Sequence, residues 1–306
     1  MKKQNVKQKL DVSSNVIKTA KGDIEYSVAG TDGPYLIGIH GGPGGYDQIP
    51  AVYPDMYNKG FRILAWSRPG YLRTPLTVGE TFRQQADALA MLMDELEIET
   101  ASVLAFSAGG PVALEFALLH PDRIWALILE SAVSSRWAIN PHNVEEQLMF
   151  SRLMFNNPVI WITNLLAKQK SSYLFKSLIE TESFLNHKEV EALVSNIMDN
   201  PKKLGILKGL VESMSPASKR KAGLDNDLKQ LEHPVDLPLD RITAPSLIIH
   251  GTHDFDVSFY HAWYAAKSIP KAELYPVEDG FHIIPLCDHD EEVTAKRLAF
   301  LRTYAP

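Results

Sequence analysis

Cysteine is almost absent from this sequence. Its 306 residues include one, Cys287, so the chain cannot close an intramolecular disulfide, and one thiol cannot supply the sulfur cluster of a structural metal site. Histidines do not supply a metal site either, because no pair of them forms a metal-binding motif with helical spacing. We therefore expect a fold held by its own core, without a metal.

Long apolar runs are also missing. The longest uncharged, apolar-rich stretch, residues 153–167, is interrupted by three asparagines and a proline, and it is shorter than the roughly 20 residues that a membrane-spanning helix needs. The first ten residues carry four lysines and lack the apolar centre of a secretory signal. We expect no membrane span and a cytoplasmic location.

Positive charge is not in excess. The chain has 31 basic and 37 acidic residues, which gives a net charge of -6 at pH 7, and this balance repels polyanions. Nucleic acid is therefore excluded as an expected partner, whereas a small-molecule substrate remains open. Hydrophobic residues make up 45% of the chain, enough for a large core. Nothing in the composition specifies a number of subunits.

Short apolar runs alternate with helical patterns along the chain. Residues 23–28 alternate between polar and apolar side chains, which predicts a half-exposed strand. Apolar spacings of three and four residues predict helices at 81–96 and 108–119. Nearly continuous apolar runs predict strands buried on both faces, at residues 35–39, 63–66, 101–106, 124–129 and 247–249. This alternation implies an α/β fold with a mostly parallel, doubly wound sheet.

The alternation stops between about residues 134 and 238. This stretch has helical spacing without a convincing strand, and prolines separate its segments. The predicted helices include residues 144–155, 159–167, 189–198 and 204–214. A helical insert over the carboxyl ends of a parallel sheet would cover the edge where such sheets bind ligands. We therefore expect a core made of residues 1–134 and 239–306 and a helical cap made of residues 135–238.

Ser107 lies between a predicted buried strand and a predicted helix. Small residues on either side, Ala105 and Gly109, allow the sharp strand-to-helix turn that raises a serine hydroxyl above a sheet. A serine between small residues is more often only part of a tight turn. Here the buried strand before Ser107 and the two glycines after Ala108 favour a nucleophile.

The loop after the first predicted parallel strand has four glycines in residues 40–45. Glycines allow a backbone to approach a ligand closely with its N–H groups exposed, as an oxyanion hole requires. Gly42 and Ala108 are the expected N–H donors. The loop lacks the Lys-Ser/Thr ending of a nucleotide P-loop and the spacing of a dinucleotide fingerprint. A nucleotide site is therefore not expected.

A serine nucleophile needs a base, and the base needs a third group that orients it. His282 is the predicted base, because it lies on a turn after the strand-like residues 273–276. Asp254 is the predicted orienting acid, because it follows the last strongly apolar strand. Asp256, two residues further along, and Glu130, at an earlier strand end, are alternative acids.

Two other histidines are at predicted strand ends. His40 and His250 are each next to a glycine where a strand gives way to a loop. We interpret both as residues that brace loops rather than as bases.

These motifs together resemble the lidded α/β hydrolases, a family that includes carboxylesterases, lysophospholipases and prolyl aminopeptidases. The resemblance covers nearly the whole chain outside the insert. The family's Gly-x-Ser-x-Gly elbow is similar to residues 105–109, with Ala105 in place of the first glycine. Its His-Gly loop is similar to residues 40–42, its Gly-x-x-Asp motif to 251–254, and its Gly-His turn to 280–282, which is one residue longer. Leu72 stands where this family commonly has glycine.

The resemblance implies cleavage of a small carboxylic ester through an acyl-enzyme, without a cofactor. A serine at the elbow argues against the dehalogenase and epoxide hydrolase chemistries of the family, which use aspartate there. Prolyl aminopeptidases share the glycine-rich loop but usually place tryptophan where this chain has Ala108. Peptide cleavage, C–C bond hydrolysis of the meta-cleavage type and non-enzymatic ligand reception remain alternatives. Residues of the insert that could line an acyl pocket are Leu148, Met149, Phe150, Leu153, Met154, Phe155 and Trp161.

Overall fold

One sheet of eight strands organises the described part of the chain. The structure is a computed structural model, and it describes residues 13–57, 59–135, 172–232 and 236–306. The strands are Asn15–Thr19 (β1), Gly22–Ala29 (β2), Tyr35–Ile39 (β3), Arg62–Trp66 (β4), Ala101–Phe106 (β5), Ile124–Glu130 (β6), Ser246–Gly251 (β7) and Ala272–Val277 (β8). They lie in the order β1-β2-β4-β3-β5-β6-β7-β8. Strand β2 pairs antiparallel with β1 and β4, and the other pairs are parallel.

Helices cover both faces of this sheet. Within the described residues they are Gln48–Val52 (α1), Phe82–Glu95 (α2), Gly110–Leu119 (α3), Ser172–Glu182 (α4), His187–Asp199 (α5), Pro201–Glu212 (α6), Lys221–Leu231 (α7), Tyr260–Ser268 (α8) and Asp290–Tyr304 (α9). None of the helices in the described residues combines the length and the apolar character that crossing a bilayer requires.

The central strands are buried on both faces because each face packs against a different helical layer. All six residues of β5 are buried. Leu104 and Phe106 pack into one apolar cluster with α1, α9 and helices α4 to α6. Val103 and Ala105 pack into the other cluster with α2, α3 and α8. This two-sided burial explains why the sequence of these strands is continuously apolar rather than alternating.

The predicted α/β fold with a mostly parallel sheet is confirmed. The helix predicted at residues 81–96 is α2, and it begins with a capping box in which Thr81 accepts from the Gln84 backbone and Gln84 accepts from the Thr81 backbone. The short strand β1 was missed, because three of its five residues are exposed. Its sequence therefore lacks a strong apolar signal.

A helical segment, residues 172–231, joins the chain after β6 to the chain before β7. The helices predicted at residues 189–198 and 204–214 correspond to α5 and α6, and Asn186 and Asn200 cap their amino ends. The helices predicted at 144–155 and 159–167, and the pocket residues predicted between 148 and 161, lie outside the described residues. The division into core and cap stays a prediction.

Candidate active site

Ser107 occupies the sharp turn between β5 and α3. Its φ of 53° lies in the left-handed region, which is uncommon for residues other than glycine and often marks functional sites. The turn fits because its neighbours are glycines. A Cβ at Gly109 would lie 2.7 Å from the Ile39 carbonyl oxygen, and one at Gly41 would lie 2.8 Å from the Ser107 Cβ. The sequence therefore needs glycine at both positions to form this turn.

Ala105 replaces the first glycine of the family's elbow motif. Its side chain is fully buried and packs into the apolar cluster under α2 and α3. The methyl group thus fills core space on the sheet face that α2 and α3 cover. This placement explains why the departure from the motif leaves the turn intact.

His282 and Asp254 are in direct contact. They follow the neighbouring parallel strands β8 and β7, whose carboxyl ends meet at the same edge of the sheet. His282 Nδ1 lies 2.9 Å from Asp254 Oδ2. The exposed fractions of the two side chains are 5% and 0%, so this hydrogen bond is shielded from water. The structure therefore brings together the base and the acid predicted from the sequence.

Asp254 is held by further donors close to it in the chain. The Val257 N–H donates to Asp254 Oδ1 at 2.9 Å, and His250 Nε2 lies 3.1 Å from Oδ2. Burial favours the neutral acid, but the charge of His282 and the hydrogen bonds from both histidines hold the pKa of the Asp254 carboxyl below its ordinary value. Asp254 is therefore a carboxylate at neutral pH. His250 contacts this acid as well as bracing the loop through the Val257 carbonyl.

The alternative acids occupy different positions. Asp256 Oδ2 lies 3.4 Å from Nε2 of His282, on the opposite side of the ring from Asp254, and 45% of the Asp256 side chain is exposed. Glu130 is buried in a bidentate ion pair with Arg297, at 2.6 and 2.8 Å. The described geometry therefore places Asp254 and Asp256, but not Glu130, against the imidazole.

Phe106 links the serine to the histidine. Its ring packs against the His282 imidazole with centroids 5.1 Å apart, and the next residue in the chain is Ser107. The serine turn and the histidine turn therefore meet above β5. The contacts of the described residues do not include a hydrogen bond between Ser107 and His282, and such bonds are often long before substrate binds.

The glycine-rich loop, residues 40–46, lies beside Ser107. His40 Nδ1 donates to the Gly41 carbonyl at 2.7 Å, and His40 Nε2 accepts the Arg68 N–H at 3.0 Å. Burial and the Arg68 charge lower the pKa of His40 well below its ordinary value, so this ring is neutral and braces the loop. The predicted donors, Gly42 and Ala108, lie on the two segments that meet at Ser107.

The sequence did not reveal the buried charges around this loop. Arg68, Arg220 and Asp227 are each at most 1% exposed, and they contact the loop or its supports. A charged residue followed by one proline and one glycine, at positions 68–70, was the available signal for Arg68. Its partner is 159 residues away, and no local pattern could identify it.

A family model described as the alpha/beta hydrolase fold matches residues 34–287. The chain belongs to this family. It is 30% identical over 287 residues to "Uncharacterized hydrolase YcgS" of Bacillus subtilis (strain 168), covering 92% of this chain and 96% of that protein. The predicted family and fold are therefore confirmed.

A solved structure and a more distant relative extend this comparison. The "Alpha/beta hydrolase fold protein from Nakamurella multipartita" is 33% identical, has a TM-score of 0.86, and the match covers 95% of this chain and 99% of that one. A Pseudomonas sp. 2-hydroxy-6-oxononadienedioate/2-hydroxy-6-oxononatrienedioate hydrolase is 25% identical over 289 residues, covering 90% of each chain. The match to the solved structure thus spans nearly the full length of both chains.

Proposed function

We propose that the protein is a serine hydrolase that cleaves a small carboxylic ester through an acyl-enzyme. Its family and its hydrolase relatives support hydrolysis. The observation that carries the serine mechanism is the shielded contact of Asp254 with Nδ1 of His282, whose ring packs on the residue before Ser107. Ser107 is the nucleophile in this proposal, His282 the general base and Asp254 the orienting acid.

The proton path follows from the two nitrogens of His282. Because Nδ1–H donates to Asp254, the lone pair of the neutral ring is on Nε2. Nε2 takes the proton of the Ser107 hydroxyl as Oγ attacks the ester carbonyl, and Asp254 stabilises the imidazolium that forms. Asp254 suits this role because its low pKa keeps it ionised.

The negative charge that develops on the carbonyl oxygen needs fixed donors. The N–H groups of Gly42 and Ala108 supply them in this proposal. His282 then gives its proton to the leaving alcohol, which leaves Ser107 acylated. Water repeats the sequence: His282 takes its proton, the hydroxide oxygen attacks the acyl carbonyl, and the carboxylic acid departs as Ser107 regains its proton.

The test is covalent labelling by a fluorophosphonate probe, together with hydrolysis of short-chain p-nitrophenyl esters. Ser107→Ala should abolish labelling and lower turnover by roughly 10⁶-fold. Ser131→Ala is the matched control, because Ser131 is also buried and has a positive φ, of 46°. It should label like the wild type. An active wild-type protein that the probe does not label would contradict the proposal.

C–C bond hydrolysis is the second candidate, because the Pseudomonas sp. relative is named for a substrate of that kind. The same three residues could serve it, so Ser107→Ala does not separate the two. Substrate profiling does. Faster cleavage of a meta-cleavage dienoate than of any p-nitrophenyl ester would favour the second candidate, and proline p-nitroanilide tests the peptidase alternative in the same plate.

A further inference from the structure

The glycines of the oxyanion loop, residues 40–46, cannot fix the backbone of the loop by themselves. Glycine gains the most conformational freedom on unfolding, and it has no side chain that could fix a neighbouring N–H group. The strength of an oxyanion hole depends on donors that are already in place before charge develops. Contacts from other side chains must therefore fix it. His40 and Gln48 bind Gly41, and two buried arginines bind the loop on either side of Gly42.

Arg68 holds the first end of the loop. Its Nε donates to the His40 carbonyl at 3.1 Å. Both terminal nitrogens of its guanidinium bind the carboxylate of Asp227, with Nη1 2.8 Å from Oδ1. Asp227 lies in α7, so the first end of the loop is tied through Arg68 to the helical segment.

Arg220 holds the second end of the loop. Its Nη1 donates to the Gly44 carbonyl at 2.6 Å, and its Nη2 binds Asp47 at 2.7 Å and the Ser215 carbonyl at 2.9 Å. Arg220 is 1% exposed and directly precedes α7. The same helix therefore reaches both ends of the loop.

The middle of the loop packs against this helix as well. A Cβ at Gly42 would lie 3.1 Å from Leu224 Cδ1 and 3.3 Å from the Tyr71 hydroxyl. That hydroxyl donates to Asp227 Oδ2 at 2.7 Å. Burial and the Asp227 charge raise the pKa of Tyr71 well above its ordinary value, so the hydroxyl keeps its proton and remains a donor.

We propose that Asp227 and Arg220 are positioning residues that set the place of the Gly42 N–H group in the oxyanion hole. They act through Arg68, Tyr71 and the Gly44 carbonyl and do not touch the substrate. The inference rests on the proposed function, because it assumes that Gly42 binds an oxyanion. Arg68 has a second effect, since its positive charge balances the Asp227 carboxylate that would otherwise repel an oxyanion nearby.

The measurement that isolates this role is the affinity for phenylboronic acid. Its boron accepts an electron pair from Ser107 Oγ as the hydroxyl proton passes to His282. The boron becomes tetrahedral and anionic, so binding reports on the oxyanion hole. Asp227→Asn and Arg220→Lys should each weaken this binding by about tenfold or more, because removing an oxyanion donor costs 10²–10³-fold and a displaced donor costs part of that. The kcat for a p-nitrophenyl ester should fall in parallel, with KM nearly unchanged.

Glu130→Gln is the matched control. It removes one charge from a buried bidentate arginine pair, with Arg297, and that pair does not contact the oxyanion loop. It should lower the melting temperature as Asp227→Asn does, but leave phenylboronic acid affinity unchanged. Equal affinity in Glu130→Gln, Asp227→Asn and Arg220→Lys would overturn the inference.

A milder variant covers the case in which Asp227→Asn does not fold. Tyr71→Phe keeps the ion pair of Arg68 with Asp227 and removes only the hydroxyl beside Gly42, so it should weaken phenylboronic acid binding in the same direction. Unchanged binding in both Tyr71→Phe and Arg220→Lys would also overturn the inference. A wild-type protein that binds no phenylboronic acid and is not labelled by fluorophosphonate would instead contradict the proposed function itself.

Discussion

The candidate site has two halves that are held by different parts of the chain. The acid–histidine half consists of Asp254 and His282, and the oxyanion-loop half consists of residues 40–46. Asp254 and His282 are 28 residues apart and follow neighbouring parallel strands, so the sheet alone brings them together. The oxyanion loop is held by Arg220, 176 residues from Gly44, and by Asp227, 159 residues from Arg68. One half is therefore a product of strand order, and the other depends on the docking of α7.

This difference separates the residues that would move protons from the residues that place the oxyanion loop. A change at Asp254 alters the proton path of His282 while leaving the sheet edge that carries both residues. A change at the contacts of α7 leaves the proton path intact and moves the loop that would bind the oxyanion. The two halves should consequently respond to substitution in different measurements: turnover in the first, and transition-state affinity and stability in the second.

The largest effect expected in the acid–histidine half is that of Asp254→Asn. An asparagine keeps the shape of the side chain but loses the charge that stabilises the imidazolium and fixes the ring tautomer, so kcat should fall by about 10⁴-fold. Steady-state hydrolysis of a p-nitrophenyl ester measures this loss. Circular dichroism should show that the fold persists.

Asp256→Asn is the comparison variant for that experiment. Asp256 contacts the other ring nitrogen of His282 and is much more exposed than Asp254. Its replacement should lower kcat by less than about tenfold, since solvent screens an exposed charge. A larger loss in Asp256→Asn than in Asp254→Asn would exchange the roles assigned to the two acids.

The sheet could be predicted from the sequence because its strands are apolar on both faces. The runs at residues 35–39 and 101–106 match β3 and β5 at both ends, since each is bounded by turn residues. Strand β1 could not be found, because its exposed residues give no apolar period. Burial on both faces gives a strand a continuous apolar run that can be recognised in the sequence. Partial exposure removes that run.

The candidate site residues that could be predicted from the sequence are those that lie just after a strand. Order along the chain and the apolar strand before each residue pointed to Ser107, Asp254 and His282, and their catalytic roles stay predictions. Leu72 shows the opposite case. It stands where the family commonly has glycine, and its φ of 51° lies in the left-handed region. The resemblance singled out position 72, but only the structure shows the left-handed backbone conformation, which favours glycine there.

The next largest effect tests the docking of α7. A Cβ at Gly223 would lie 2.2 Å from the Tyr71 ring, so Gly223→Ala must push the helix away from the oxyanion-loop half. Overpacking of this kind costs about 1–3 kcal/mol of the free energy of unfolding. Urea denaturation measures the loss, and phenylboronic acid binding should weaken with it.

Gly205→Ala is its counterpart in the same helical segment. Gly205 is exposed on α6, and a Cβ there would meet nothing within 4 Å. Alanine should therefore stabilise the protein by about 0.5–1 kcal/mol, because it has the higher helix propensity and no clash to offset it. If Gly223→Ala were as stable as Gly205→Ala, close docking of α7 against Tyr71 would be contradicted.

The last effect appears only at acidic pH and concerns the buried histidine behind the acid–histidine half. His261, on α8, accepts the Ser134 N–H at Nδ1 at 3.2 Å, which requires that nitrogen to be unprotonated. Burial lowers the pKa of His261 to about 4, below its ordinary value of about 6.5 in an unfolded chain. The unfolded chain therefore binds more protons between these two values, and the folded state loses stability as pH falls through that window.

His261→Asn should reduce this pH dependence, because an asparagine oxygen can accept the same N–H group and does not titrate. From pH 7 to pH 5 the variant should lose about 2 kcal/mol less of its free energy of unfolding than the wild type. Some dependence should remain, since the pKa of His40 is also lowered by burial and His40 supports the oxyanion-loop half. Urea unfolding of both proteins at the two pH values measures the contribution of His261. Identical pH dependence in variant and wild type would contradict a buried, neutral His261 behind the acid–histidine half.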